Sequence, residues 1–203
     1  MRATFLPEPE LEFGFGGRHQ EQRAGLLLHG PADVEFASRP ATMRVGLVGQ
    51  ARALDELQIW LEGCARGVAA RSDTALTTLF PAFPAFPGLE GDATFRCALN
   101  FEPEARCELS RRQLRGLADV TGDAVAVAAA AELLAAAIEA LLEGTDVNVV
   151  LVARPPGVPD GSAGEDGTVG ANFHDLLKAR AISARVPLHH PSPDLARRTR
   201  HRG

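Results

Sequence analysis

The sequence predicts an α/β protein: a parallel sheet with helices on both faces, preceded by an extended N-terminal arm. Three observations carry this expectation. Arg44-Val45-Gly46-Leu47-Val48-Gly49 and Val147-Asn148-Val149-Val150-Leu151-Val152 are short, nearly unbroken apolar runs, the pattern of strands buried on both sides. After the first run, Leu54, Leu57, Leu61, Cys64 and Val68 recur at helical spacing. Before the second, the alanine-rich segment 123–142 places Val127, Leu134, Ile138 and Leu141 along one helical side. Strands alternating with helices form parallel sheets, because parallel neighbours need a crossover connection.

In chain order, residues 5–40 are rich in Pro, Gly and short apolar pieces, including Leu11-Glu12-Phe13-Gly14-Phe15-Gly16-Gly17 and Gly25-Leu26-Leu27-Leu28-His29-Gly30-Pro31. They predict an arm with one or two strands laid on a domain. The Gly14/Gly16/Gly17 cluster predicts a turn, since no helix pattern follows it and no Lys-Ser/Thr closes it as a phosphate loop requires. Gly46 and Gly49 lack the rest of a dinucleotide fingerprint and predict tight strand-to-helix packing. The segment 80–88, with proline at every third position, predicts an extended loop, and Thr94 to Phe101 a second strand. Ser110 predicts the cap of a short helix through Asp119. Pro155 to Gly170 predicts a polar loop without structure of its own, and Val186-Pro187-Leu188 the start of a last strand. The resulting division is an arm at 1–40, an α/β domain at 41–188 and a disordered basic tail at 189–203, which lacks any hydrophobic period.

Composition narrows the function. The 203 residues carry a formal charge of −5, so global positive charge does not drive any nucleic-acid binding and an anion site must be local. There is one lysine against a wealth of arginine, a bias of GC-rich coding. Cys64, Cys97 and Cys107 are odd in number and unpaired by Cys-x-x-Cys spacing, which predicts reduced thiols in an intracellular, cytoplasmic protein with no metal site. The N-terminus turns acidic before any apolar run, unlike a signal peptide, and segment 123–142 reads as a core helix, because Glu132 and Glu139 interrupt it. No Gly-x-Ser-x-Gly, no paired-glycine phosphate loop and no metal-spaced His/Cys/Asp cluster is present, so no enzyme and no cofactor is expected.

The stretch Asn172-Phe173-His174-Asp175-Leu176-Leu177-Lys178-Ala179-Arg180-Ala181 reads as a helix start. Asn172 is a good N-cap, with Asp175 three residues on. Phe173, Leu176, Leu177 and Ala181 form an inward stripe, while His174 and Lys178, four apart, share another face. Arg185 approaches that face if the helix continues. Open backbone donors beside an imidazole and an ammonium suit a phosphate. Spacing alone fits an ordinary amphipathic helix with a solvated basic face even better.

Several of these segments resemble parts of a known family in the same order. Leu6-Pro7-Glu8-Pro9-Glu10-Leu11-Glu12-Phe13-Gly14, Gly25 to Pro31 and Arg44 to Gly49 resemble the opening of short prokaryotic Argonaute proteins. Phe173 to Ala181, with Val186-Pro187 after it, is similar to the guide-binding part of their MID domain. The resemblance covers residues 5 to about 188 and implies a Rossmann-like domain that anchors the 5′-phosphate of a guide strand, RNA or DNA, in a prokaryotic defence system. It implies that His174 and Lys178 hold the phosphate; Arg180 and Arg185 are candidates for following the guide backbone. The family's third contact, a glutamine, falls near Leu188 or His189, and neither is glutamine. The family also has a PIWI domain where this sequence runs into its arginine-rich end, which implies truncation, as by a reading-frame change. An effector subunit is the implied protein partner. A small-molecule- or nucleotide-binding α/β domain and a protein-interaction module are the alternatives.

Overall fold

The computed structural model describes residues 8–70, 85–90, 95–163, 169–180, 182 and 187–189. The chain divides into two compact units, one of residues 1–42 and 61–98, the other of residues 43–60 and 99–203.

In the first unit, β1 (Leu11–Glu12) and β2 (Arg18–His19) pair antiparallel around a 3-10 turn at Gly14–Gly16. The expected glycine turn is therefore present. Residues expected to be extended instead form a helix, α1 (Gln22–His29), started by the Glu21 carboxylate, which accepts the Ala24 amide at 2.6 Å. Gly25 sits inside this helix because the Phe13 ring lies over it: a Cβ there would come within 2.2 Å of ring carbons. Later in the unit, Val68 and Phe86 form an antiparallel bridge, and the Phe86 and Phe95 rings lie 6.4 Å apart. Val68 thus belongs to a bridge beyond the helix to which its spacing assigned it.

The second unit is a mostly parallel five-stranded sheet with helices, the expected α/β class. Its hub is β3 (Thr42–Gly49), whose last five residues are all buried. The 16-residue helix α2 (Ala51–Arg66) follows, and the division between units falls within it. Next come β4 (Ala98–Asn100) and β5 (Arg106–Glu108), both alongside β3. Of the expected strand from Thr94 to Phe101 only β4 is present, and Thr94 is outside the described residues. Sequence patterning did not anticipate β5, which pairs parallel with Leu47 to Gly49. Arg106 fastens it to α2, donating to the Asp55 carboxylate at 2.7 Å and the Ala51 carbonyl at 3.0 Å.

Ser110 caps α3 (Arg111–Ala118) in a reciprocal capping box with Gln113, as expected. The long helix α4 (Asp123–Gly144) buries Val127, Leu134, Ile138 and Leu141, the side its spacing selected. These residues join Val48, Val150 and Val152 in the core. Gly46 makes room for them, since a Cβ there would meet the Leu141 side chain at 2.9 Å. On the alternate face of β3, where side chains of opposite parity point, a Cβ on Gly49 would lie 3.2 Å from Leu54 of α2. Both glycines therefore serve close packing. Among the described residues α4 is the one helix long and apolar enough to cross a membrane.

Strand β6 (Val149–Val152) pairs parallel with β3, and β9 (Leu188–His189) pairs parallel with β6. His189, expected in the tail, is therefore in the sheet; residues 190–203 lie outside the described residues, as do 80–84 of the proline-rich loop. Between β6 and β9 the polar segment 155–170 is not free of structure. It contains β7 (Gly161–Ala163), which pairs antiparallel with β8 (Val169–Asn172). Backbone hydrogen bonds make this pair, so its Gly, Ser and Asn content did not prevent it.

Candidate nucleic-acid interface

The sheet has a switch in direction at its centre. From β3 the chain moves to β5 on one side, and from β6 it moves to β9 on the other. Ligands of open parallel sheets collect beyond the carboxyl ends of strands at such a point. Here the chain leaves β6 through Ala153, whose amide donates to the Val48 carbonyl at 2.9 Å, and enters Arg154. Pro155 and Val158 are buried beneath the following turn.

The expected helix start is present. Helix α5 (Phe173–Arg180) directly follows β8, and the Asn172 carboxamide oxygen accepts the His174 amide at 2.8 Å. The Phe173 amide donates to the Asp160 carbonyl at 2.9 Å. Of the four amides that a helix start leaves without intrahelical partners, these two are already engaged by the protein, so fewer donors are open than the sequence suggested. Asp175 occupies the first turn, where it favours the helix but opposes an incoming anion.

Phe173 and Leu177 are almost fully buried in the core with Leu134 and Ile138, which fixes the rotation of α5 about its axis. His174, half-buried, and Lys178, exposed, consequently share the side turned from that core. Arg180 forms an ion pair with Glu132 of α4, so this guanidinium already has a carboxylate partner. Arg185 lies outside the described residues. His189 pairs with Leu151 in the sheet register.

Sequence reasoning passed over Arg154. Its side chain is 12% exposed and forms an ion pair with Asp160, which is 77% exposed. The pair is close, but its geometry gives the buried Arg154 Nη1 no hydrogen bond. The available signal was position: a cation immediately past the carboxyl end of a central strand.

Other chemistry is weakly represented. Among the described residues no three His, Cys, Asp or Glu side chains gather as a metal site. Burial pushes the Cys64 and Cys107 thiols up from their ordinary range, the opposite of nucleophile activation. No known family model matches the chain, and no curated protein does.

Proposed function

We propose that the chain is a nucleic-acid-binding module of the Argonaute MID type, holding the 5′-phosphate of a guide strand at the start of α5 and performing no chemistry. The observation that carries this reading is the rotation of α5: burial of Phe173 and Leu177 leaves His174 and Lys178 together on the outward side of a capped helix start. Lysine is otherwise absent from a chain that uses arginine throughout, so Lys178 is a singular choice of a compact charge with three rotatable donors. Such a group suits a terminal phosphate, which exposes three oxygens and approaches two negative charges near neutral pH. The cytoplasmic setting and an effector subunit as partner belong to the same proposal.

The test is a comparison of one labelled oligonucleotide carrying either a 5′-phosphate or a 5′-hydroxyl, by fluorescence anisotropy at low, matched salt, where phosphate contacts are strongest. Tighter binding of the phosphorylated strand is expected. Equal binding by folded protein overturns the proposal.

A protein-interaction role is the second reading, favoured by one observation in the first unit. Leu11, Phe15, Leu28 and Phe36 are large apolar side chains, each at least 42% exposed, within 26 residues of sequence.

A further inference from the structure

Arg154 and α5 are joined through a single residue. The Asp160 carboxylate is ion-paired with Arg154, and the carbonyl of the same Asp160 accepts the first amide of α5, that of Phe173, at 2.9 Å. The next residue, Gly161, pairs with Asn172 in the β7/β8 register, so the segment held by Arg154 lies directly against the residue that caps the helix. The Arg154 side chain is confined, being 12% exposed at the end of β6, whereas the Asp160 side chain is 77% exposed. The fixed half of the pair is therefore the arginine, and the held half is the hairpin strand that carries the helix start.

We infer that Arg154 is a positioning residue for the anion site: through Asp160 it registers the β7/β8 pair on the end of β6 and so sets where α5 begins and where His174 and Lys178 stand. The functional part of this inference rests on the phosphate-binding reading above; the positioning part does not. Burial of Phe173 and Leu177 holds α5 from one side, the Arg180–Glu132 ion pair holds its last turn, and the Asp160 tie and the Asn172 cap hold its start. Burial fixes the rotation of a helix but tolerates sliding and fraying of its first turn. The Asp160 tie, beside the Asn172 cap, constrains that turn.

The experiment uses the full chain with Arg154→Met, Arg154→Lys and Asp160→Asn, read in two ways. The first is amide hydrogen exchange across residues 169–180, compared with α4 in the same molecule, well below the unfolding midpoint. Arg154→Met and Asp160→Asn are expected to speed exchange at the start of α5 while α4 stays protected, with Arg154→Lys intermediate. Unchanged exchange at residues 169–180, or a uniform rise over both helices, overturns the positioning role. The second is the preference for 5′-phosphate over 5′-hydroxyl, which should fall toward parity in Arg154→Met and Asp160→Asn and be partly restored in Arg154→Lys. A stronger preference in Asp160→Asn overturns the inference, because it makes Asp160 a competitor of the anion. Absence of preference in the unmutated protein defeats the phosphate-binding reading, while the exchange result still decides whether Arg154 positions α5.

Discussion

Leu177 and Lys178 are neighbours in sequence and opposites in surroundings: the leucine is 2% exposed within the core and the lysine stands in solvent. A turn of about 100° per residue separates them, so burial of one dictates presentation of the other. Lys178→Ala should therefore leave stability nearly unchanged, within about 0.5 kcal/mol for an exposed site. It should remove most of the preference for a 5′-phosphate, on the order of 1.5–3 kcal/mol for a charge-assisted contact, or roughly ten- to a hundredfold in affinity. Arg111→Ala, on α3, is the control and should preserve the preference. Because Lys178 is the sole lysine, acylation by an amine reagent followed by peptide mass analysis provides a second measurement: a 5′-phosphorylated strand should protect that side chain more than a 5′-hydroxyl strand does.

Asn172 separates helix capping from anion binding. Asn172→Ala removes the acceptor of the His174 amide and should destabilise the protein by about 0.5–2 kcal/mol, measured by urea unfolding. Asn172→Asp retains a good cap but adds a negative charge at the helix start. It should keep most of the stability and weaken binding of the phosphorylated strand.

The assignment of α4 to the core predicts steep mutational costs along one side. Leu134→Ala, at a fully buried position, should cost about 2–5 kcal/mol in urea unfolding. Val125→Ala, at a position 59% exposed on the same helix, should cost well under about 1 kcal/mol. Similar losses at both positions would contradict the orientation of the helix.

Glu21 gives the first unit an acid-sensitive cap. The Ala24 amide, its strongest influence, holds the carboxyl below its ordinary pKa, and the slight desolvation of this exposed group opposes that effect only in part. A carboxyl depressed in the folded state contributes stability above its unfolded pKa and loses it as pH falls through the folded value. The unfolding midpoint should therefore decline less between about pH 6 and about pH 3 in Glu21→Gln than in the unmutated protein, with the glutamine variant less stable at the upper end.

What the sequence revealed was side-chain periodicity; what it concealed was backbone pairing. Val127, Leu134, Ile138 and Leu141 announce α4 because one side of a long helix must be apolar to be buried. Ser110 and Asn172 announce helix starts because their side chains do the capping. By contrast, β5 is only Arg106-Cys107-Glu108, too short to show a period, and it joins the sheet through main-chain contacts with Leu47 to Gly49. The β7/β8 pair is equally silent, with side chains that suggest a loop. Helix α1 was hidden by Gly25, a helix-weakening residue that is explained only once the Phe13 ring is placed over it. The candidate site was legible in His174 and Lys178, which share a helix. Arg154 and Asp160 were not, because only the path of the intervening chain brings them together.

The placement of β3 between β5 and β6 has a consequence during synthesis. Val45 pairs with Val149, 104 residues later, so the hub strand emerges from the ribosome long before its central neighbour exists. At about 5–20 residues per second the wait is roughly 5–20 seconds. Throughout it Val45 to Gly49, buried on both faces in the finished sheet, offers an uncovered apolar edge to other nascent chains. The interval before β6 arrives therefore leaves that edge open to wrong pairing, and slower synthesis of the chain between the emergence of β3 and that of β6 would lengthen it.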